Sequence, residues 1–256
     1  MNVLPARRPW KAIVHFAATE ISPRAVIASA GVMIKAQPFP INHMYTPQLA
    51  DLHTILCIGC HADDIEIGCG GTILKLLRDQ PNVQVHWVVL SGDVNRADEA
   101  RASATRFLGT SAIHRIIIQQ FRDRYFPYQG EAIKDFIHTL SRDIVPDIVF
   151  THRLEDRHQD HRLVAELTWN AFRNHLIFEY EIPKYEGDLG QPNIFVPLDR
   201  DACDEKVNIT YDSFGSQQEK PWFSRDTFTS LLRLRGLECN SHTGYAEAFY
   251  CRKMTL

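Results

Sequence analysis

From residue 54 onward, short apolar runs alternate with longer stretches of mixed polarity. Thr54-Ile55-Leu56-Cys57-Ile58-Gly59 is almost wholly apolar, the pattern of a strand buried on both faces. Val83 to Leu90, Ile113 to Ile118 and Asp147 to Thr151 repeat it. Ile73 to Arg78 (closed by Pro81), Ala97 to Leu108 (stopped by Gly109), Glu131 to Leu140 and Arg162 to Phe172 read as helices. This alternation predicts βαβ units and hence an α/β fold, a Rossmann-like three-layer sandwich with a mostly parallel sheet. Further on, Ile177 to Ile182 and Ile194 to Leu198 read as strands and Phe223 to Arg235 as a helix. Residues 1–50 hold six prolines and no clear periodicity; they read as an N-terminal extension ahead of one domain over 51–256.

The alternation also predicts where function lies. In open α/β sheets ligands bind beyond the C-terminal ends of the strands. Residues 60–68 and 151–161 follow the first and fourth strands, and polar side chains concentrate there. The first stretch holds His61-Ala62-Asp63-Asp64-Ile65-Glu66; the second runs from His152 through Asp156-Arg157-His158-Gln159-Asp160-His161. A catalytic zinc site needs about three nitrogen or oxygen ligands and one open position. His61, Asp64 and His161 are candidates for those three, and Asp63 is then a spare carboxylate placed as general base. His158, one helical turn before His161, aims at the same volume.

Composition narrows the classes. The 256 residues are 45% hydrophobic and 23% charged, as in soluble globular proteins. Lys plus Arg is 28 against 31 Asp plus Glu, a net charge of −3, so no broad basic footprint for nucleic acid is expected. No apolar run approaches the ~18 residues of a membrane-spanning helix. Arg7-Arg8 is followed by too few apolar residues for a secretory signal, which needs ~7–15. Six dispersed cysteines then suit reduced thiols and a cytoplasmic location. The partner expected is a small molecule, with a homo-oligomer allowed.

Two other stretches resemble known motifs only in part. Cys57-Ile58-Gly59-Cys60-His61 has the spacing of c-type haem attachment, but it ends a buried strand, where residues three apart point to opposite faces. Gly68-Cys69-Gly70-Gly71 lacks the third glycine of a dinucleotide fingerprint, since Ile73 stands there. A Rossmann-like nucleotide- or ligand-binding module without hydrolytic activity is the alternative reading, and the missing fingerprint argues against it.

The stretches Gly59 to Thr72 and Asp156 to His161 together resemble the zinc-dependent N-acetylglucosaminyl deacetylases of the PIG-L/LmbE type. Ser216-Gln217 and Ala246 to Phe249 look like further features of that family, so the resemblance spans roughly residues 54–250. It implies removal of an acetyl group from an N-acetylated amino sugar or its conjugate, with Zn2+ as cofactor. His61, Asp64 and His161 then match the metal ligands, Asp63 the general base, His158 the oxyanion-stabilising histidine and Asp160 the carboxylate that holds and tunes that histidine. Gln159 replaces a common proline, and Arg96 lies one residue out of the spacing that would give it a substrate role. Glu66 reads as structural, His152 as a rim residue, Arg153 and Arg157 as rim cations, and Phe178 to Tyr185 as a segment that helps choose substrate.

Overall fold

A computed structural model of the chain describes Leu49, residues 51–109 and residues 113–255. Apart from Leu49, the extension expected over 1–50 lies outside the described residues. The elements follow in the order β1 (Thr54–Gly59), α1 (Asp64–Asp79), β2 (Gln84–Val89), α2 (Val94–Leu108), β3 (Arg115–Ile118), α3 (Gly130–Asp143), β4 (Ile148–His152) and α4 (Gln159–Ala171). Then come β5 (Leu176–Tyr180), β6 (Ile194–Pro197), α5 (Arg200–Ser213), α6 (Arg225–Glu238) and β7 (Ala246–Tyr250).

The seven strands form one sheet in the order β3-β2-β1-β4-β5-β7-β6. The first five are mutually parallel, and β7 runs antiparallel between β5 and β6. The predicted three-layer α/β architecture is the one found. Strand alternation divides the core: Ile55 and Cys57 of β1, Val85 and Trp87 of β2 and Phe150 of β4 pack on one face with α1, α2, α5 and α6. Leu56, Ile58, Val88 and Val149 pack on the other with α3 and α4. Full burial of each such side chain contributes about 1.5–3 kcal/mol.

Three elements differ from the sequence expectation. Helix α1 begins at Asp64, nine residues before Ile73, and so contains Gly68, Gly70 and Gly71. Each interior glycine costs about 1 kcal/mol against alanine. A Cβ at Gly68 would come within 3.0 Å of the Tyr180 ring, and one at Gly70 would meet Phe107 equally closely, so this helix turn reaches the sheet only without side chains. Helix α5 escaped notice because its buried stripe includes Lys206 among charged neighbours. Strand β7 escaped because Glu247 occupies a buried position within it. Glu247 accepts from the Gly71 and Thr72 amides at 2.8 and 2.6 Å and pairs with buried Lys206, which accounts for both charges. Among the described residues no helix is long and apolar enough to cross a membrane. All six cysteines are free.

Candidate metal centre

Sheet order reverses between β1 and β4, whose helices pack on opposite faces. A crevice opens at the carboxyl ends of these strands, the position open α/β sheets use for ligands. His61 follows β1, Asp63 and Asp64 open α1, and His158 precedes α4, whose first turn carries Asp160 and His161. Two segments a hundred positions apart are thus brought face to face.

His61 Nδ1 lies 3.1 Å from His161 Nε2 and 3.3 Å from Asp64 Oδ2, and His161 Nε2 lies 3.6 Å from Asp64 Oδ1. A tetrahedral ion with ligand bonds of ~2.0–2.1 Å separates its donors by about 3.3 Å, the middle of this range. The hydrogen bonds behind the two rings sharpen the fit. His161 Nδ1 is 3.0 Å from Asp156 Oδ2, so its proton sits there and Nε2 is bare. His61 Nε2 is 3.0 Å from Asp123 Oδ1 and 3.4 Å from Asp160 Oδ2, so that edge of the ring is held by carboxylates and Nδ1 is turned to His161 and Asp64. Two ring nitrogens and the two oxygens of Asp64 therefore face one volume, a donor set of the kind that holds a cation. Carboxylates behind metal-ligating imidazoles fix tautomer and ring orientation.

The electrostatics agree. Burial acts against charge on His61, but Asp64, Asp123 and Asp160 prevail and draw its pKa well above the ordinary value. Burial would raise Asp64, yet His161, His152 and His61 hold its carboxyl well below the usual range. Burial, with His152 beside it, pushes His161 down to about 3, so its imidazole is neutral and available as a ligand. The site is one that favours positive charge between its ligands.

Asp63 is buried beside this cluster. Its Oδ1 accepts from Arg96 Nη2 at 3.1 Å, while Oδ2 is enclosed with no hydrogen-bond partner. Burial raises its pKa and Arg96 opposes the rise. His158 stands with its ring centroid 5.0 Å from His61 and 4.5 Å from His161, and its Nδ1 is buried without a partner. Burial and His61 lower its pKa.

Asp160 is placed differently from the role first read for it. Its oxygens accept from the Arg124 and Phe126 amides at 2.7 and 3.2 Å and face His61. It braces His61 and the β3–α3 loop, and no hydrogen bond joins it to His158 among the described residues. The sequence reading also missed four neighbours. Asp156 orients His161, caps the His158 amide at 2.7 Å and is held in turn by Lys184 Nζ at 3.0 Å. Asp123 supports His61 from a loop with no sequence signal. Arg96 grips Asp63 despite its spacing. His152 is fully buried rather than at an open rim: Nε2 accepts from the Cys60 amide at 3.0 Å, lies 3.1 Å from Asp64 Oδ2, and the ring stacks on His161 at 3.9 Å.

Cys60, Asp64, His152 and His161 also have donor atoms close enough to share an ion. That set is the weaker one. Its His152 nitrogen is occupied by the Cys60 amide, and burial followed by Asp64 and other carboxylates drives the Cys60 thiol pKa well up, keeping it protonated. Glu66 is enclosed, and burial pushes its pKa well up. Arg153 packs over the Tyr250 ring at 4.3 Å and donates to the Asp188 carbonyl, so it serves the scaffold. Of Phe178 to Tyr185, Lys184 reaches the site through Asp156.

The family described as GlcNAc-PI de-N-acetylase, PIG-L, matches residues 56–172. The deacetylase YaiS of Escherichia coli (strain K12) is 33% identical over 142 residues, 50% of this chain and 74% of that protein. Diacetylchitobiose deacetylase of Thermococcus kodakarensis is 29% identical over 144 residues, 48% of this chain and 49% of that protein. In fold, the N,N'-diacetylchitobiose deacetylase of Pyrococcus horikoshii, solved with an inhibitor, superposes with a TM-score of 0.60 at 23% identity, covering 78% of this chain and 84% of that one.

Proposed function

This chain belongs to the PIG-L family of de-N-acetylases, and on that premise we propose that it is a zinc-dependent hydrolase that removes the acetyl group from an N-acetylated amino sugar or its conjugate. The products are acetate and a free amine. The observation that carries the reading is the convergence of His61 Nδ1, His161 Nε2 and the Asp64 carboxylate oxygens, 3.1–3.6 Å apart. A nucleotide-binding module has no use for such a donor set.

His61, Asp64 and His161 would hold the ion. Zinc in such a site supplies Lewis acidity and makes water acidic enough to ionise near pH 7. The unpartnered Asp63 Oδ2 accepts the proton of the attacking water, and Arg96 keeps the carboxylate turned so that this oxygen is presented. The same proton then passes from Asp63 to the departing amine, so the carboxylate is regenerated. His158 donates a ring N–H to the oxygen that gains charge in the tetrahedral intermediate. Losing one such donor costs on the order of 10²–10³ in rate in other hydrolases. Asp160 and Asp123 keep the His61 ring fixed throughout.

The test is acetate release from a panel of N-acetylated amino sugars, with and without a chelator. Activity lost on chelation and restored by Zn2+, together with its loss in Asp63→Ala, is the expected result. Full turnover in Asp63→Ala, or in protein stripped of metal, would overturn the reading.

A further inference from the structure

After β5 the chain makes a loop over residues 181–190 whose two ends are tied together. Glu181 Oε1 accepts from the Gly190 amide at 2.9 Å and from the Tyr250 hydroxyl at 2.6 Å. Arg235 Nη2 donates to Glu181 Oε2 at 2.6 Å and to the Gly190 carbonyl at 3.1 Å. Arg235 and Glu181 are buried, and a buried pair of this kind is costly to open. Tyr185, Glu186 and Gly187 form the exposed tip. The base of the loop is therefore fixed, and the side chains it turns inward are fixed with it.

Two of these are Lys184 and Asp188, paired with each other at 2.8 Å. Between them they grip the 153–158 loop at three points. Lys184 Nζ donates to Asp156 Oδ2 at 3.0 Å, Asp188 Oδ2 accepts from the Arg157 amide at 2.7 Å, and the Asp188 carbonyl accepts from Arg153 Nη1 at 2.8 Å. The space among Arg153, Asp156, Glu181, Lys184 and Asp188 admits no water, so it admits no substrate atom either. Lys184 uses all three of its protons, the third on the Ile182 carbonyl at 3.3 Å. Asp156 depends on such partners, because a carboxylate turns about its last torsion in a broad, two-fold well. Its Oδ1 accepts from the His158 amide and its Oδ2 faces His161 Nδ1, but both of those groups belong to the start of α4, a few residues along the same segment. Lys184 is the partner from outside that segment, and it ties the carboxylate to the rest of the fold.

We propose that Lys184, backed by Asp188, is a positioning residue for the metal centre: it locks the Asp156 carboxylate in the orientation that presents His161 to the ion, so that the 181–190 loop sets metal affinity and does not read the substrate. This rests on the metal-centre reading above. The lysine touches neither the ion nor the reacting atoms; it acts through Asp156 alone. A residue that acts through another has a recognisable signature. Its removal matters only while the intermediary is present, and the two substitutions are then non-additive.

The experiment measures the Zn2+ dissociation constant by competition with a chromophoric chelator. It uses wild type, Lys184→Met, Asp156→Asn and the double variant, and it adds KM at saturating Zn2+ for the best substrate of the panel above. Lys184→Met is expected to raise the Zn2+ Kd roughly tenfold, the lower end of the scale for groups behind a ligating histidine. The same change made in Asp156→Asn is expected to raise it no further, and KM stays as in wild type. An unchanged Kd in Lys184→Met, an equal rise in both backgrounds, or a KM altered by Lys184→Met overturns the proposal. Should Lys184→Met fail to fold, Lys184→Gln replaces it under the same criteria. Wild type that binds Zn2+ but releases no acetate from any N-acetylated amino sugar overturns the deacetylase reading alone, and the cycle of Kd values still decides the role of Lys184. Wild type that takes up no Zn2+ overturns both.

Discussion

Asp156→Asn tests the claim that a carboxylate behind His161 prepares it as a ligand. The substitution preserves shape and keeps an oxygen for the His158 amide, but it removes the negative charge facing His161 Nδ1 at 3.0 Å and Lys184 Nζ at 3.0 Å. Lys184 is not stranded, because Asp188 Oδ1 lies 2.8 Å away. Losing the outer partner of a ligating histidine typically weakens metal affinity 10–100-fold. With free metal at a hundred times the wild-type Kd, binding stabilises the fold by about 2.7 kcal/mol. A tenfold weaker site keeps roughly 1.4 kcal/mol of this and a hundredfold weaker one roughly 0.4 kcal/mol. The metal-dependent loss is therefore about 1.3–2.3 kcal/mol, or roughly 3–9 °C in Tm for a domain of this size. The assay is thermal unfolding of wild type and variant, each with Zn2+ and with chelator, so that any metal-independent effect of the substitution cancels. A metal-induced Tm rise equal in the two proteins would refute the proposed relay from Asp156 to His161.

Other outcomes follow from the same geometry. Arg96→Gln removes the cation that opposes the upward shift of Asp63, so the Asp63 pKa rises further; because the base acts deprotonated, the acidic limb of the kcat/KM profile moves to higher pH, and an unmoved limb counts against Asp63 as the base. Glu247→Gln leaves buried Lys206 without its anion. Breaking a buried pair in this way costs about 3–5 kcal/mol, measurable by urea unfolding, and the single Gln oxygen can still accept from only one of the two α1 amides. His86 is buried with Nδ1 unpartnered, and burial, then Arg115, depress its pKa. Its neutral form is favoured by folding, so its contribution to stability is present above the unfolded pKa near ~6.5 and is lost as pH falls below it. In His86→Leu the drop in unfolding free energy between pH 7.5 and pH 5.5 should be smaller than in wild type.

The parallel half of the fold was legible because strands buried on both faces are written as unbroken apolar runs, as in Thr54–Gly59. The antiparallel edge was not, because Glu247 in β7 and Lys206 in α5 satisfy each other across 41 residues of sequence, and each alone reads as exposed. The same logic separates what could be read of the site from what could not. The residues offered as ligands follow two strands that neighbour each other in the sheet, and an alternation of strands and helices predicts that neighbourhood. Their supports come from elsewhere: Asp123 from the loop after β3, Lys184 from beyond β5 and Arg96 from α2. Each of these acts through a contact made only when the chain closes. Asp160 shows the limit most clearly. Its place in the first turn of α4 follows from the motif, but which ring it serves depends on how the β3–α3 loop folds over it, and the amides of Arg124 and Phe126 turn its carboxylate toward His61. The proposed chemistry was therefore readable from the residues offered as ligands, while the tuning of those groups depends on long-range packing that local pattern does not encode.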